Sequence, residues 1–320
     1  MGMIIRLEGE QASLLLPRIT RWSLNDTSGQ SADRLTLRLG SDGLSFVPRS
    51  GTPYSFYVNG VYRGKFEVSA LDEYLHPAEL QISLTPAKFT VTDETAWREA
   101  RQATYPAATI RDVVTKVMSR HGYGVRIDPS LADKATPHLN QSQETDKAFI
   151  ARLAKKFDAI AKPVNGLYVV AMKGNIKTLS GGAKPLVMIS PENLRPGTGR
   201  ISFPSNNRFK GAKATFRDSE TGDNGTVEIG ESPFLTLKDS FKSKEEANER
   251  AAAKLLEKTR EGQTFNGTVI AGGERFFAES TMQLTGFTSP RSKGDWSLDD
   301  VTLSGTRTDF STQIVATRPR

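Results

Sequence analysis

Residues 140–174 read NQSQETDKAFIARLAKKFDAIAKPVNGLYVVAMKG. A polar, acidic opening gives way to helical spacing, then to a turn and an apolar run. Ser142 or Thr145 can cap a helix here, and Glu144 and Asp146 stand where a helix N-terminus favours negative charge. Lys155 and Lys156 fall near the other end, where cations are favoured. Ala148, Phe149, Leu153, Ala154, Phe157 and Ile160 form the expected buried face. Gly166 then turns the chain into LYVVAM (167–172), which reads as a buried strand.

Just upstream, TIRDVVTKVMSRHGYG (109–124) carries a complete helix signature. Thr109 is the expected N-cap with Asp112 three residues on. Ile110, Val113, Val114, Val117 and Met118 form one stripe, and Gly122 sits just past the end. VRI (125–127) resembles a short strand. The spacing therefore predicts a small α/β unit over 96–180.

Both flanks have a different period. DRLTLRLGSDGLSFV (33–47) alternates apolar and polar up to an Asp-Gly turn, and PYSFYVNGVYRGKFEVSAL (53–71) continues around Asn59-Gly60. Leu80, Ile82 and Leu84 alternate again, so residues 1–95 read as antiparallel β. KGNIKTLSGGAK (173–184) reads as a linker or exposed turn, and Gly181-Gly182 lacks the Gly-Lys-Ser/Thr ending of a phosphate loop. Residues 181–320 return to β, with one helix at 243–261. There Ser243 and Glu246 make a capping box, Gly262 follows the end, and a narrow Ala247, Ala251, Leu255 face suggests a helix on a sheet edge. Setting residue n beside n+230 aligns Gly43 with Gly273, Phe46 with Phe276, Gly64 with Gly294, Phe66 with Trp296 and Leu84 with Ile314. Shared β periodicity alone can produce such matches; if the repeat is real, the expected architecture is α+β, mainly β, with two copies of one antiparallel β domain around the α/β insert.

Composition narrows the function classes. The 320 residues include no cysteine, which removes disulfides and thiolate chemistry. Apolar residues make up 37%, and no run approaches the ~18 residues a membrane helix needs. The N-terminal patches, broken by Glu8 and Glu10, do not read as a signal peptide. Net charge is +7, but Lys and Arg are scattered, which reads as a solvated basic surface rather than a nucleic-acid-reading face.

Chemistry finds little anchor. The three histidines, His76, His121 and His138, lie in no metal-binding spacing, and His121 at a helix end reads as a dipole partner. There is no Gly-x-Ser-x-Gly elbow. Glu144 with Asp146, or Asp299 with Asp300, could pair as acid and base, but the first two are explained by the helix start. Adjacent strand residues such as Asp299 and Asp300 point to opposite faces. No enzyme and no cofactor is expected.

The opening stretch resembles the central signature of the late control gene D family, the baseplate hub proteins of contractile-tailed phages and phage-derived bacteriocins. The matching positions are Gln141, Glu144, Asp146, Phe149, Ile150, Arg152, Leu153, Ala154, Lys162, Pro163, Gly166 and Gly174. Residues 109–128 fit the family's lead-in, while 64–87, 243–258 and 294–319 are similar to outer segments with lower specificity. Leu303 and Ser304 depart from the pattern, since a His often follows the valine there. The resemblance implies tail-tube-like barrels, a homotrimer and a symmetry adaptor between a hexameric tail tube and a trimeric central spike. It also implies other baseplate partners, no membrane, DNA at most in transit through a channel, and residence in the virion after assembly in the bacterial cytoplasm. The motif residues are then structural.

Three other readings make distinct expectations. The hub module of a type VI secretion spike protein shares the architecture but normally continues into a spike domain, whereas this chain ends at Arg320. A tail-associated peptidoglycan hydrolase would digest cell wall. A nucleic-acid binder would show steep salt dependence.

Overall fold

The computed structural model describes residues 4–28, 32–86, 99–157, 159–164, 166–172, 186–203, 209–218, 221–260 and 263–318. The expectations placed on Gly174, on Gly262, on the 173–184 stretch with Gly181-Gly182, and on boundaries near 95 and 180 lie outside the described residues.

The β-rich ends do not form two barrels. They share one open twelve-stranded sheet. Its path runs Ile5–Gly9, Pro53–Val58, Val61–Leu75, Ala78–Thr85, Arg34–Gly40, Ile19–Thr27, Asp295–Gly305, Phe310–Thr317, Thr264–Val269, Arg200–Ser202. Thr281–Leu284 pairs with Asp295–Gly305 off this path and carries Val187–Ile189 on its other side. The junction is the antiparallel pairing of Ile19–Thr27 with Asp295–Gly305, from Trp22 opposite Gly305 to Thr27 opposite Asp300. Residues aligned by the 230-residue offset, such as Phe66 with Trp296 and Leu84 with Ile314, lie in one common core cluster. Alternation reports which face a side chain takes, not which strand lies beside it, so the duplication inferred from it does not describe separate domains.

Residues 210–260 form a smaller layer with its own core. Lys210–Arg217 is flanked by Asn224–Glu231 and Phe234–Phe241. The Lys244–Arg260 helix sets Ala247 and Ala251 against Ala212 and Ala214, so it lies over the central strand rather than on an edge. Small residues on both sides let the two backbones approach closely. Gly230 permits close approach of the two paired strands: its φ is +78°, and a Cβ there would fall 2.2 Å from the Lys210 carbonyl oxygen.

Between them, residues 101–172 pack two helices on a three-stranded sheet. Its order is Ala159–Val164, Leu167–Met172, Gly124–Ile127, the last strand parallel. The Ile110–Ser119 helix buries Ile110, Val113, Val114, Val117 and Met118, as the stripe predicts. Thr109 Oγ1 accepts from the Asp112 N–H, and the Asp112 carboxylate accepts from the Thr109 N–H, closing the capping box. In the Asp146–Lys155 helix the cap is Thr145, and the buried face is Asp146, Phe149, Ile150, Leu153 and Ala154. Ala148, expected inside, is exposed, while Ile160 belongs to the following strand.

Candidate functional site

The motif residues gather in two places. The first is built by a β-bulge. The Leu139–Glu144 strand pairs with Arg101–Tyr105, and its register slips between Gln141 and Glu144, where Gln143 takes φ +52°. Gln141 is thereby buried beside the first residue of the next helix. Its Nε2 donates to Asp146 Oδ1 at 2.8 Å and to the Glu144 carbonyl at 2.9 Å, and its Oε1 accepts from the Tyr105 hydroxyl at 2.9 Å. Gln141 therefore closes the bulge and holds the carboxylate together.

Asp146 is fully buried. His121 Nε2 donates to its Oδ2 at 2.9 Å, and Arg120 Nη1 stands 3.4 Å from the same oxygen. Arg101 Nε lies 3.8 Å from Oδ1. His121 reaches this position because the Ile110–Ser119 helix ends just before it and Gly122, at φ +67°, turns the chain back. Expected as a partner of the helix end, His121 is instead a buried partner of Asp146. Burial acts to raise the Asp146 pKa, but bonds from His121 and Gln141 and the charges of Arg120 and Arg101 outweigh it, holding the carboxyl below its ordinary range.

Around this core, Phe149 stacks on Tyr105 with centroids 4.9 Å apart, and Leu153 and Ala154 join the same cluster. Arg152 grips the Glu144 carboxylate, its Nε 3.2 Å from both oxygens, and Nη2 donates to the Asn140 carbonyl at 3.0 Å. Glu144 and Asp146 are therefore each committed to partners, with no shared cleft between them.

The second place is the seam between the inserted unit and the wide sheet. Lys162 and Pro163 lie in the Ala159–Val164 strand, an edge strand, where proline removes no ladder donor that a neighbour needs. Gly166, at φ +80°, turns the hairpin. Lys162 crosses the seam: Nζ donates to Asp33 Oδ1 at 3.0 Å and to the Thr27 carbonyl. Burial opposes its charge, but Asp33 and Asp26 hold its pKa above the usual lysine value.

Arg101, Tyr105, Arg120, Asp26, Asp33 and Arg63 were not legible as partners in the sequence. Alternation gave no signal for Arg63 either: it shares its phase with Lys65 and Glu67, and it is buried where the register slips between Tyr62 and Gly64. Asp299 and Asp300 are separate in role: a bulge follows Leu298, Asp299 accepts from Ser28, and Asp300 faces the seam. His76 is exposed at a hairpin tip, and His138 is exposed before the bulged strand. Among the described residues no three His, Asp or Glu side chains gather as a metal site.

No family model matches the chain. It is 28% identical over 179 residues to the probable baseplate hub protein of Escherichia phage P2, spanning 54% of this chain and 45% of that one. Identity to the corresponding protein of Escherichia phage 186 is 25% over the same length and shares. This chain is thus similar to two phage baseplate hub proteins over part of their length. The matched region spans about half the length of those hub proteins. A tail protein from Neisseria meningitidis superposes with a TM-score of 0.71 at 13% identity, covering 99% of this chain and 97% of that one. A type VI secretion component of Escherichia coli, itself structurally similar to T4 phage tail proteins, superposes with a TM-score of 0.59 at 12% identity, covering 98% and 76%.

Proposed function

We propose that this chain is a structural baseplate hub of a contractile phage tail or tail-like particle. It forms a homotrimer around a central channel, joins the tail tube to the central spike beside other baseplate proteins, and resides in the virion. The observation that carries this reading is the 28% identity to a baseplate hub protein in a chain whose fold follows a tail protein over 99% of its length. The motif residues act structurally: Gln141, Asp146, Glu144 and Arg152 fix the inserted unit's core, and Lys162 ties that unit to the sheet.

The wide sheet supports a threefold-to-sixfold joint. Ten strands in succession span about 43 Å along the sheet at ~4.8 Å per step, a broad face for such a joint. Solution mass and negative-stain images test this directly. The expected particle has three times the 35.1 kDa chain mass and a threefold ring with a central opening. A monomer that also fails to co-purify with tube and spike proteins refutes the hub.

A type VI secretion-like hub is the second reading, supported by the structural match to the Escherichia coli component. Co-purification with a type VI tube protein in preference to a phage tube protein selects it. Digestion of purified peptidoglycan by the chain would replace both readings with an enzymatic one.

A further inference from the structure

Among the described residues, carboxylates outnumber cations in the seam around Lys162. Lys162 and Arg63 are both buried cations, 5% and 8% exposed. Between them lies Asp26, whose Oδ1 is 3.8 Å from Lys162 Nζ and whose Oδ2 is 3.4 Å from Arg63 Nη2. Arg63 Nη1 also donates to the carbonyls of Phe276 at 2.6 Å and Glu274 at 3.0 Å, and Asp26 Oδ2 accepts from the Ala278 N–H at 3.1 Å. One side-chain cluster therefore joins the first β region, the inserted unit and the last β region.

Other carboxylates face the same cluster. Asp33 takes the Lys162 ammonium from the start of the Arg34–Gly40 strand. Asp300 acts on Asp26 and Lys162 from the Asp295–Gly305 strand. Buried Glu279 acts on Lys162, and Glu274 acts on Arg63, from the loop that carries Ala278. Asp299 lies beside Ser28 at the seam's rim. Among the described residues, Lys162 and Arg63 thus meet Asp26, Asp33 and Asp300, and excess negative charge in a low-dielectric seam is costly.

We propose that this seam is a proton-binding site, occupied at Asp33, and that proton uptake on mild acidification tightens the joint between the inserted unit and the wide sheet. Of the two carboxylates that share Lys162, Asp33 has the fewer donors. Asp26 is held by Arg63, Lys162 and the Ala278 N–H, whereas Asp33 has Lys162 and a 3.4 Å contact from the Thr27 N–H. Burial first, then the charge of Asp26, push the Asp33 carboxyl up to about 6 despite Lys162. A protonated Asp33 keeps a carbonyl oxygen for the Lys162 ammonium while its repulsion with Asp26 disappears.

The direction follows from linkage. A carboxyl whose folded-state pKa is raised contributes stability that is fully present below its unfolded value of about 3.9 and is lost as pH rises through about 6. The joint is therefore firmer near pH 5 than near pH 7.5. Thermal unfolding of the full chain between those values, beside Asp33→Asn, tests it. Asn mimics the protonated acid, so the melting temperature of the native chain should rise by roughly 2–4 °C relative to the variant on acidification. Parallel curves, or the opposite slope, overturn the proposal.

If Asp33→Asn does not fold, hydrogen exchange on the native chain decides alone. Amides of Ile19–Thr27 and Ala159–Val164 should gain protection at the lower pH, after correction for intrinsic exchange rates. The Asp146–Lys155 helix should not, because Asp146 is held below this window. Unchanged or reduced protection at the seam refutes the site. The isolated chain suffices, so this outcome is distinct from success or failure of hub assembly.

Discussion

Two buried charge clusters, about Asp146 and about Lys162, use the same side-chain types to opposite effect. At Asp146 one carboxylate sits among donors: His121, Gln141, Arg120 and Arg101. At the seam, two cations sit among several carboxylates. The Asp146 pKa falls, and the Asp33 pKa rises to about 6. Burial pushes both carboxyls upward, so what decides the sign is the count of donors within reach. The first cluster lies inside the inserted unit and fixes its core. The second lies between units and fixes their relation.

The largest expected effect breaks the first cluster. Asp146→Ala leaves Arg120, Arg101 and His121 facing an emptied, desolvated site and should destabilise the inserted unit by about 3–5 kcal/mol, read from denaturant unfolding. Unchanged stability would mean that the cations reach solvent. Next, Lys162→Met keeps the aliphatic stem but leaves Asp33 without its cation, while Asp26 keeps Arg63 and the Ala278 N–H. A loss of about 3 kcal/mol is expected, with earlier proteolytic cutting between the inserted unit and the sheet. Adding Asp33→Asn should recover about 1–2 kcal/mol of it in a double-mutant cycle, and additive losses would show the two side chains to be uncoupled.

Acid separates the clusters further. A depressed carboxyl contributes stability that is present above its unfolded value, about 3.9, and lost as pH falls through its lower folded value. The Asp146 contribution should thus hold through mild acid and fail only below about pH 4, seen as a steep drop in the native chain that Asp146→Asn lacks. The smallest effect belongs to the exposed neighbour pair. Arg152→Ala removes the grip on Glu144, yet both side chains meet water, so a loss of ~0.5–1 kcal/mol is expected in thermal melts.

Much of the inserted unit was legible because its signals are local. Thr109 with Asp112, Thr145 and Gly122 are caps and stops within one turn of the helices they bound. The phase of the Asp146–Lys155 helix was less so. Treating Asp146 as a surface charge displaced its face, admitting Ala148 and omitting Ile150, when Asp146 itself lies on the buried side. His121 was misjudged for the same reason: its partner comes from another element. No pattern in the chain announces the contacts of Lys162, nor those of Gln141 with Tyr105 and of Asp146 with Arg101 and Arg120.

The sequence by itself determined most of the elements, their caps, the inward faces of many of them, and a resemblance to hub proteins. Only the tertiary structure decided that Ile19–Thr27 pairs with Asp295–Gly305, making one open sheet where two barrels were expected. It also decided that Lys162 meets Asp33 across 129 residues of chain. The reason is physical. Caps and amphipathic faces are set within a few residues, whereas every strand edge offers the same backbone donors and acceptors, and every buried charge accepts any opposite partner. Which of them meet is chosen by packing the whole chain.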